Sequence, residues 1–467
     1  MTMKAAVLKT FGSPLTIETV PDPVLGTGEV IVDVVARGVL SYTHEVFSGE
    51  RKYLLDLPVV PGAGAIGRVR EVGPDATRLV KGDWVYCDPT VRSRDDGLSP
   101  DITLQGLSAR DAGGLRLQKH FRDGSWAEQM RVPTENVKRI GAIDETDAAS
   151  WCKLGTLLVP YGGFLAAKLQ PGETVLVSGA TGNFGSAAVA VALAMGAARV
   201  VAPGRNETIL QELTRRFGDR VRTVKLGGNE DDDRERMKRA ASGPIDCVID
   251  IMPPSVSTTT VRAALMTVRP YGRVVLMGGV GMLGGSGLEL PYPWIMRNCI
   301  SIHGAWMYPP EAAIRLVGLI RSGLLRLDGY EIVTFDLDHA NEAVAHAAAN
   351  AGPFKMTVIG PKSWRGELSI SGREARMPSA SCGERNSPSA RASAAAAPMR
   401  VPDRSASRPC SAAAARSAVA RKARALAARR ELSPPAGAEA AASACAPARL
   451  SAADAPASSV ADFVRWV

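Results

Sequence analysis

Val175-Leu176-Val177-Ser178 runs straight into Gly179-Ala180-Thr181-Gly182-Asn183-Phe184-Gly185, and the Ala-rich stretch that follows ends near Gly196. The first four residues read as a buried strand, the middle as turn chemistry, the remainder as a helix. Strand, glycine turn and helix in that order form the context that a dinucleotide fingerprint requires. A pyrophosphate has to sit against backbone N–H groups at the helix N-terminus, where the dipole favours negative charge, so small residues are needed there. The glycines fall three apart rather than as G-x-G-x-x-G, which makes the spacing alone only moderately specific. The alternative is that they merely let the helix pack on the strand.

The texture continues outward from this point. ARVVAPG is a second strand and ETILQELTRRFG a second helix closed by Gly218, with further strands at IDCVIDI, GRVVLMGG and CISIHGAW. Continuous apolar strands alternating with helices predict an α/β fold, a doubly wound parallel sheet with right-handed crossovers. Upstream, from Met1 to about Ala149, short β-rich runs are broken by Gly and Pro, as in GAIGRVREVG before Gly73-Pro74-Asp75. Turn signals at that density predict a compact antiparallel barrel or sandwich. Val91 to Asp123 is polar and weakly periodic, and reads as a long surface excursion. Residues 306–361 add helix, strand, helix and a last strand, KMTVIG.

Beyond residue 361 the composition collapses. Residues 362–467 are rich in Ala, Ser, Arg and Pro and hold three aromatics, too little apolar surface to offset ordering entropy, which predicts disorder. The chain's net charge of +9 lies wholly there, leaving residues 1–361 with 39 charges of each sign. A nucleic-acid partner inferred from global basicity is therefore excluded. No apolar run is long enough for a membrane span, and the start lacks the apolar core of a signal peptide. The seven cysteines are odd in number and scattered, without CxxC spacing, which disfavours disulfides and a zinc knot and fits a reduced, cytoplasmic setting.

Cofactor choice is read from the second strand. An NAD site normally places an acid about 20 residues beyond the fingerprint to accept from the ribose hydroxyls. Pro203-Gly204-Arg205-Asn206 offers none. An Arg205 guanidinium after a tight turn can grip a 2′-phosphate, unless it is simply a solvated loop residue. The reading is NADPH, with Asn206 beside it.

These pieces, with MKAAVLKTFGSPLTIETVPDPVLGTGEVIVDVVARGV, VVPGAGAIGRVREVG, KGDWVY, DGSWAEQMRVP and FKMTVIG, resemble the medium-chain dehydrogenase/reductase superfamily over residues 1 to about 361. The resemblance implies a GroES-like catalytic domain (1–149), a Rossmann NADP-binding domain (150–305) and a return segment (306–361) completing the catalytic domain, ahead of the 362–467 tail. It further implies nicotinamide in the cleft between the domains, and a homodimer paired through the edge strand near CISIHGAW. Gly278, Gly279 and Val280 would run beside the nicotinamide ribose. Lys355 matches a family lysine close to the cofactor, the alternative being a surface charge.

The chain departs from the zinc branch of that superfamily. Where zinc members carry Cys, His-Glu and a further Cys or acid, this sequence has Leu40, Ala63-Gly64 and Gly155. None can ligate zinc, and only Cys87 stands where a structural-zinc lobe would place four cysteines. His339 and His346, seven apart, share a helix face but do not make a site. The expectation is no metal, and the resemblance shifts to the zinc-independent, quinone-oxidoreductase-like branch, although the Asn usual there is replaced by Leu40. Without a metal a carbonyl must be polarised by hydrogen bonds. Candidate donors are Tyr42, His44 and Tyr53; the alternatives are cleft lining for the tyrosines and a solvated histidine. The leading function is NADPH-dependent hydride transfer to a small-molecule quinone, enone or related carbonyl. A non-catalytic NADPH-binding sensor or structural protein and a metal-free alcohol dehydrogenase stand as alternatives.

Overall fold

The computed structural model describes residues 1–364 and 366–368. Six strands form a sheet that is parallel throughout, in the spatial order Val221–Lys225, Arg199–Gly204, Thr174–Ser178, Ile245–Asp250, Val268–Leu276, Ser301–Gly304. The chain winds outward from Thr174–Ser178 to one edge, then returns to fill the other side. The order therefore reverses between Thr174–Ser178 and Ile245–Asp250, and in such sheets ligands bind at the crevice beyond the strand ends at that point. Successive side chains divide between two faces. Val175, Val177, Ile249 and Val275 pack with Leu157, Phe164 and Val189. Leu176, Val248 and Val274 pack with Met237, Val261 and Leu265. Burial on both faces is why these strands read as unbroken apolar runs.

The second sheet is built around Glu29–Val39, which pairs antiparallel with Ala65–Val72, Gln129–Pro133 and Lys355–Ile359. Thr357 lies opposite Val39, so the end of the described chain returns to complete the sheet begun near its start. Glu331–Phe335 joins it, parallel to Lys355–Ile359. This is the expected α/β architecture of a GroES-like and a Rossmann-type part.

Two expectations fail. The stretch read as a surface excursion holds a small sheet of Thr90–Arg92, Ile102–Leu104 and Ser108–Ala109, followed by the helix Ala112–Gln118. Thr103, Gln105, Ser108 and Gln118 are buried, while the turn from Arg94 to Ser99 is exposed. Gln105 Nε2 donates to the carbonyls of Asp123 and Arg131, both at 2.8 Å, and Thr103 Oγ1 to that of Ser108. Internal pairing of polar side chains mimics a loop in sequence. Secondly, the fold does not stop at residue 361. Trp364 is buried against Gly360, its carbonyl accepts from Thr334 Oγ1, and Gly366–Leu368 pairs antiparallel with Glu331–Phe335. The rest of the tail expected to be disordered lies outside the described residues.

The two parts are tied by buried polar groups as well as apolar packing. Tyr308, just after the parallel sheet, donates to Asp88 Oδ1 at 2.8 Å, and Thr90 N donates to the same oxygen at 2.9 Å. Burial raises the Asp88 pKa even so. Removing one donor from a buried carboxylate costs about 1–3 kcal/mol. Tyr308→Phe is expected to lose that much in urea unfolding at neutral pH, and less below pH 4, where Asp88 is protonated.

Candidate active site

An open cleft lies between the two parts. One wall is the end of Glu29–Val39 with Leu40 and Ser41, joined by Ala63, Gly64 and Tyr86. Opposite stand Cys152, Gly155, Thr156 and Asn183, and the return segment contributes His346, Lys355 and Thr357. The structure thus gathers Leu40, Ala63, Gly64 and Gly155 in one place. The main chain at Gly64 is left-handed, φ +80, and a Cβ there would come within 2.9 Å of the Cys87 carbonyl oxygen. A carboxylate side chain therefore has no room at this position without backbone rearrangement.

A metal was tested against these groups and does not fit. Leu40, Ala63, Gly64 and Gly155 offer no ligand atom. Burial pushes the Cys152 thiol up to about 12, against the pull of Arg37. His346 Nδ1 pairs with Thr357 Oγ1 at 2.9 Å, while His339 pairs with Asp336 instead. Among the described residues no group of three or more His, Cys, Asp or Glu is placed to hold an ion.

A dinucleotide does fit. Gly179 turns at φ +98, Gly182 caps the helix Asn183–Ala194 without a side-chain bond, and the first-turn N–H groups are open to an anion. A Cβ on Gly185 would lie 1.8 Å from the Gly179 carbonyl oxygen, so helix and turn touch through hydrogen alone. Ala180 is buried in the core below, and Phe184 is the second residue of the helix. Thr181 explains the missing acid. A Cβ on Gly204, at the end of Arg199–Gly204, would meet Thr181 Cγ2 at 2.3 Å. Arg205 follows, exposed, and Lys225 lies opposite Gly204 in register, paired to Glu207 at 2.5 Å. Asn206 is committed elsewhere: its Oδ1 accepts from Ile209 N at 3.2 Å as the N-cap of Glu207–Phe217.

At the neighbouring strand ends, Ser178 Oγ donates to Asp250 Oδ1 at 2.9 Å, and burial raises that carboxyl to about 6. Gly278 packs on Asp250, Gly279 N donates to the Met252 carbonyl at 2.8 Å, and Val280 packs with that segment. Lys355 lines the cleft, 3.6 Å from Glu331.

The three sequence-derived donors are placed differently. Tyr42 and Tyr53 meet edge to face at 6.5 Å, with Arg51 4.1 Å over the Tyr42 ring, and they pack on the catalytic core without lining the cleft. Burial drives the Tyr42 phenol far up, leaving it protonated. His44 is exposed on the short helix Thr43–Phe47. The hydroxyl-bearing residues that do line the cleft are Ser41, Tyr86, Thr156 and Thr357, the last paired to His346.

Sequence reading passed over Lys153. It is wholly buried between the helices Ala148–Trp151 and Leu154–Ala166, its Nζ 2.7 Å from Asn183 Oδ1 and 4.3 Å from the Tyr330 ring centre. Burial alone pulls its ammonium down to about 7. The available signal was a single charge between Asp147 and Lys168 in an otherwise uncharged run.

A GroES-like sheet facing a dinucleotide-type sheet across a cleft defines an alcohol-dehydrogenase-like oxidoreductase. The family model described as "Alcohol dehydrogenase GroES-like domain" matches residues 26–142, and that described as "Zinc-binding dehydrogenase" matches 184–322. An acryloyl-coenzyme A reductase from Metallosphaera sedula is 30% identical over 347 residues, 71% of this chain and 96% of that protein. An alcohol dehydrogenase from Rhizobium meliloti is 32% identical over 205 residues, 42% of this chain and 56% of the relative. An NAD-dependent alcohol dehydrogenase from Sulfurisphaera tokodaii is 24% identical over 73% of this chain and 95% of its own. The thermostable alcohol dehydrogenase structure from Pyrobaculum aerophilum superposes with a TM-score of 0.60 at 22% identity, covering 77% of this chain and all of that one. The chain belongs to the medium-chain dehydrogenase/reductase superfamily, and pyridine-nucleotide binding goes with that membership. No helix among the described residues is long and apolar enough to cross a membrane.

Gly185→Ala forces the glycine turn away from its helix. It is expected to abolish nucleotide binding, measured by quenching of intrinsic fluorescence, while circular dichroism still reports a folded chain.

Proposed function

We propose that this protein is an NADPH-dependent, zinc-independent oxidoreductase that transfers hydride to a quinone, enone or related small carbonyl. The observation that carries the proposal is the apolar set Leu40, Ala63, Gly64 and Gly155 in the cleft where the resemblance places metal ligands. Bound NADPH supplies the hydride. The chain's own part is to hold the acceptor, exclude water and meet charge developing on the acceptor oxygen with fixed donors. Ser41 and Thr156 hydroxyls line the cleft for this purpose, and Tyr42 immediately follows Ser41. Delocalised acceptors suit such a site because they spread the charge that a metal would otherwise neutralise. The preference for NADPH is supported by Thr181 filling the place of an acidic side chain at Gly204, with Arg205 and Lys225 at adjacent strand ends. Pairing into a homodimer through Ser301–Gly304 is part of the same proposal; that edge strand carries the exposed Ile302.

Fluorescence titration is expected to give tighter binding of NADPH than NADH. Arg205→Ala should weaken NADPH by roughly 10–100-fold, the worth of one charged hydrogen-bonded contact, and leave NADH unchanged. Equal affinities in the wild type would remove the cofactor assignment. Turnover of a quinone and enone panel should persist after chelator treatment, with no stoichiometric zinc by atomic absorption. Tight NADPH binding with no acceptor reduced would favour the non-catalytic reading instead.

A further inference from the structure

The strongest unexplained group is the Lys153 ammonium. It is wholly buried, and no carboxylate among the described residues lies within ion-pair distance. Its partners are one neutral amide oxygen and one ring face. In its ammonium form lysine carries donors only, so in that form its bond to Asn183 Oδ1 fixes which way that amide is turned. Oδ1 is held at Lys153, and the two N–H bonds on Nδ2 remain for the cleft that Asn183 lines. Asn183 is also the first residue of the helix capped by Gly182, so this amide stands among the free main-chain donors.

We propose that Lys153 is a positioning residue for the dinucleotide: it locks Asn183 as a donor to the pyrophosphate and is the buried positive charge that the phosphates neutralise. This rests on dinucleotide binding at the glycine turn. Among the described residues no competing anion is paired with it. Cys152 beside it is a neutral thiol, and Tyr330, pushed up to about 12 by burial, is a neutral phenol. Arg216 and Asp328 act on Tyr330 from beyond it, and Glu331 in the cleft is taken by Lys355. Desolvation therefore leaves the free protein's Lys153 near half-protonated at pH 7. A bound pyrophosphate favours the charged form and raises its pKa. By linkage, nucleotide binding takes up a proton, and affinity is full below pH 7 and falls as pH rises above it.

Isothermal titration calorimetry with NADPH and with NADH, in Tris and in Pipes between pH 7 and 8.5, tests this on the intact chain. Uptake of about half a proton or more per nucleotide is expected, with Kd weakening up to about tenfold across that range. Both nucleotides should show it, since both carry the pyrophosphate. Lys153→Met should bind several-fold more weakly at pH 7, without proton uptake. Lys153→Arg, charged throughout, should bind without uptake and with a flat pH profile. Tight binding by the wild type without proton exchange overturns the proposal, as does uptake that persists in Lys153→Met or appears with NADPH alone. Absence of binding by either nucleotide would instead overturn the reading of the glycine turn itself, so the two failures are distinguishable.

Discussion

The contact between Gly185 and the Gly179 carbonyl sets the geometry of the cleft. Because no side chain intervenes, the helix Asn183–Ala194 lies directly on the strand end, with its uncapped first turn facing the crevice. Asn183 enters the cleft wall for that reason, and Lys153 finds an acceptor there. Thr181 takes its place in the same turn, and its methyl group in turn fixes glycine at position 204. Four features of the cleft thus follow from one close approach between two residues lacking side chains.

On the other wall the constraint runs through the backbone. The left-handed turn at Gly64 puts its missing Cβ against Cys87 and Pro89, while Tyr86 from the paired strand Trp84–Cys87 fills the space beside it. A Glu substituted for Gly64 would meet steric obstruction before it met a metal. This favours an acceptor that tolerates reduction without a Lewis acid, and it is why the quinone and enone classes stand ahead of simple alcohols.

Most of the fold was legible because burial on both faces writes parallel strands as apolar runs, and glycines marked the turns. Gly218 closes its helix at φ +65, as the sequence pattern predicts. The segment from Thr90 to Gln118 was illegible because buried Thr103 and Gln105 bond main-chain carbonyls inside the protein beside an exposed turn at Arg94 to Ser99, so composition mimicked a loop. Trp364 was lost in the bias of the residues after it; a single aromatic in an Ala- and Ser-rich context carries no periodicity. Motif position put Lys355 near the cleft, which it lines, and Arg205 just beyond the end of Arg199–Gly204, where it is exposed. Tyr42 and Tyr53 lie close to the cleft in sequence, but packing turns them toward Arg51 and the core. Lys153 left only the trace of one charge among apolar neighbours, since its meaning depends on a contact 30 positions away.

Besides the thiol of Cys152, burial shifts charged groups around the crevice: Lys153 is pulled down to about 7, Arg37 down to about 10, and Asp250 pushed up to about 6. Asp250 is partly compensated by Ser178, whereas Arg37 Nε lacks a hydrogen-bond partner among the described residues and Lys153 lacks an anion. Uncompensated cations in a low-dielectric interior destabilise the protein that carries them. Lys153 stands beside Asn183 on the wall that carries the glycine turn, whereas Arg37 belongs to the strand of the opposite wall. An anion bound at the glycine turn would compensate Lys153, so that part of the electrostatic cost of the free fold would become selectivity for a negatively charged occupant. Stability and recognition are in this respect set by the same few side chains.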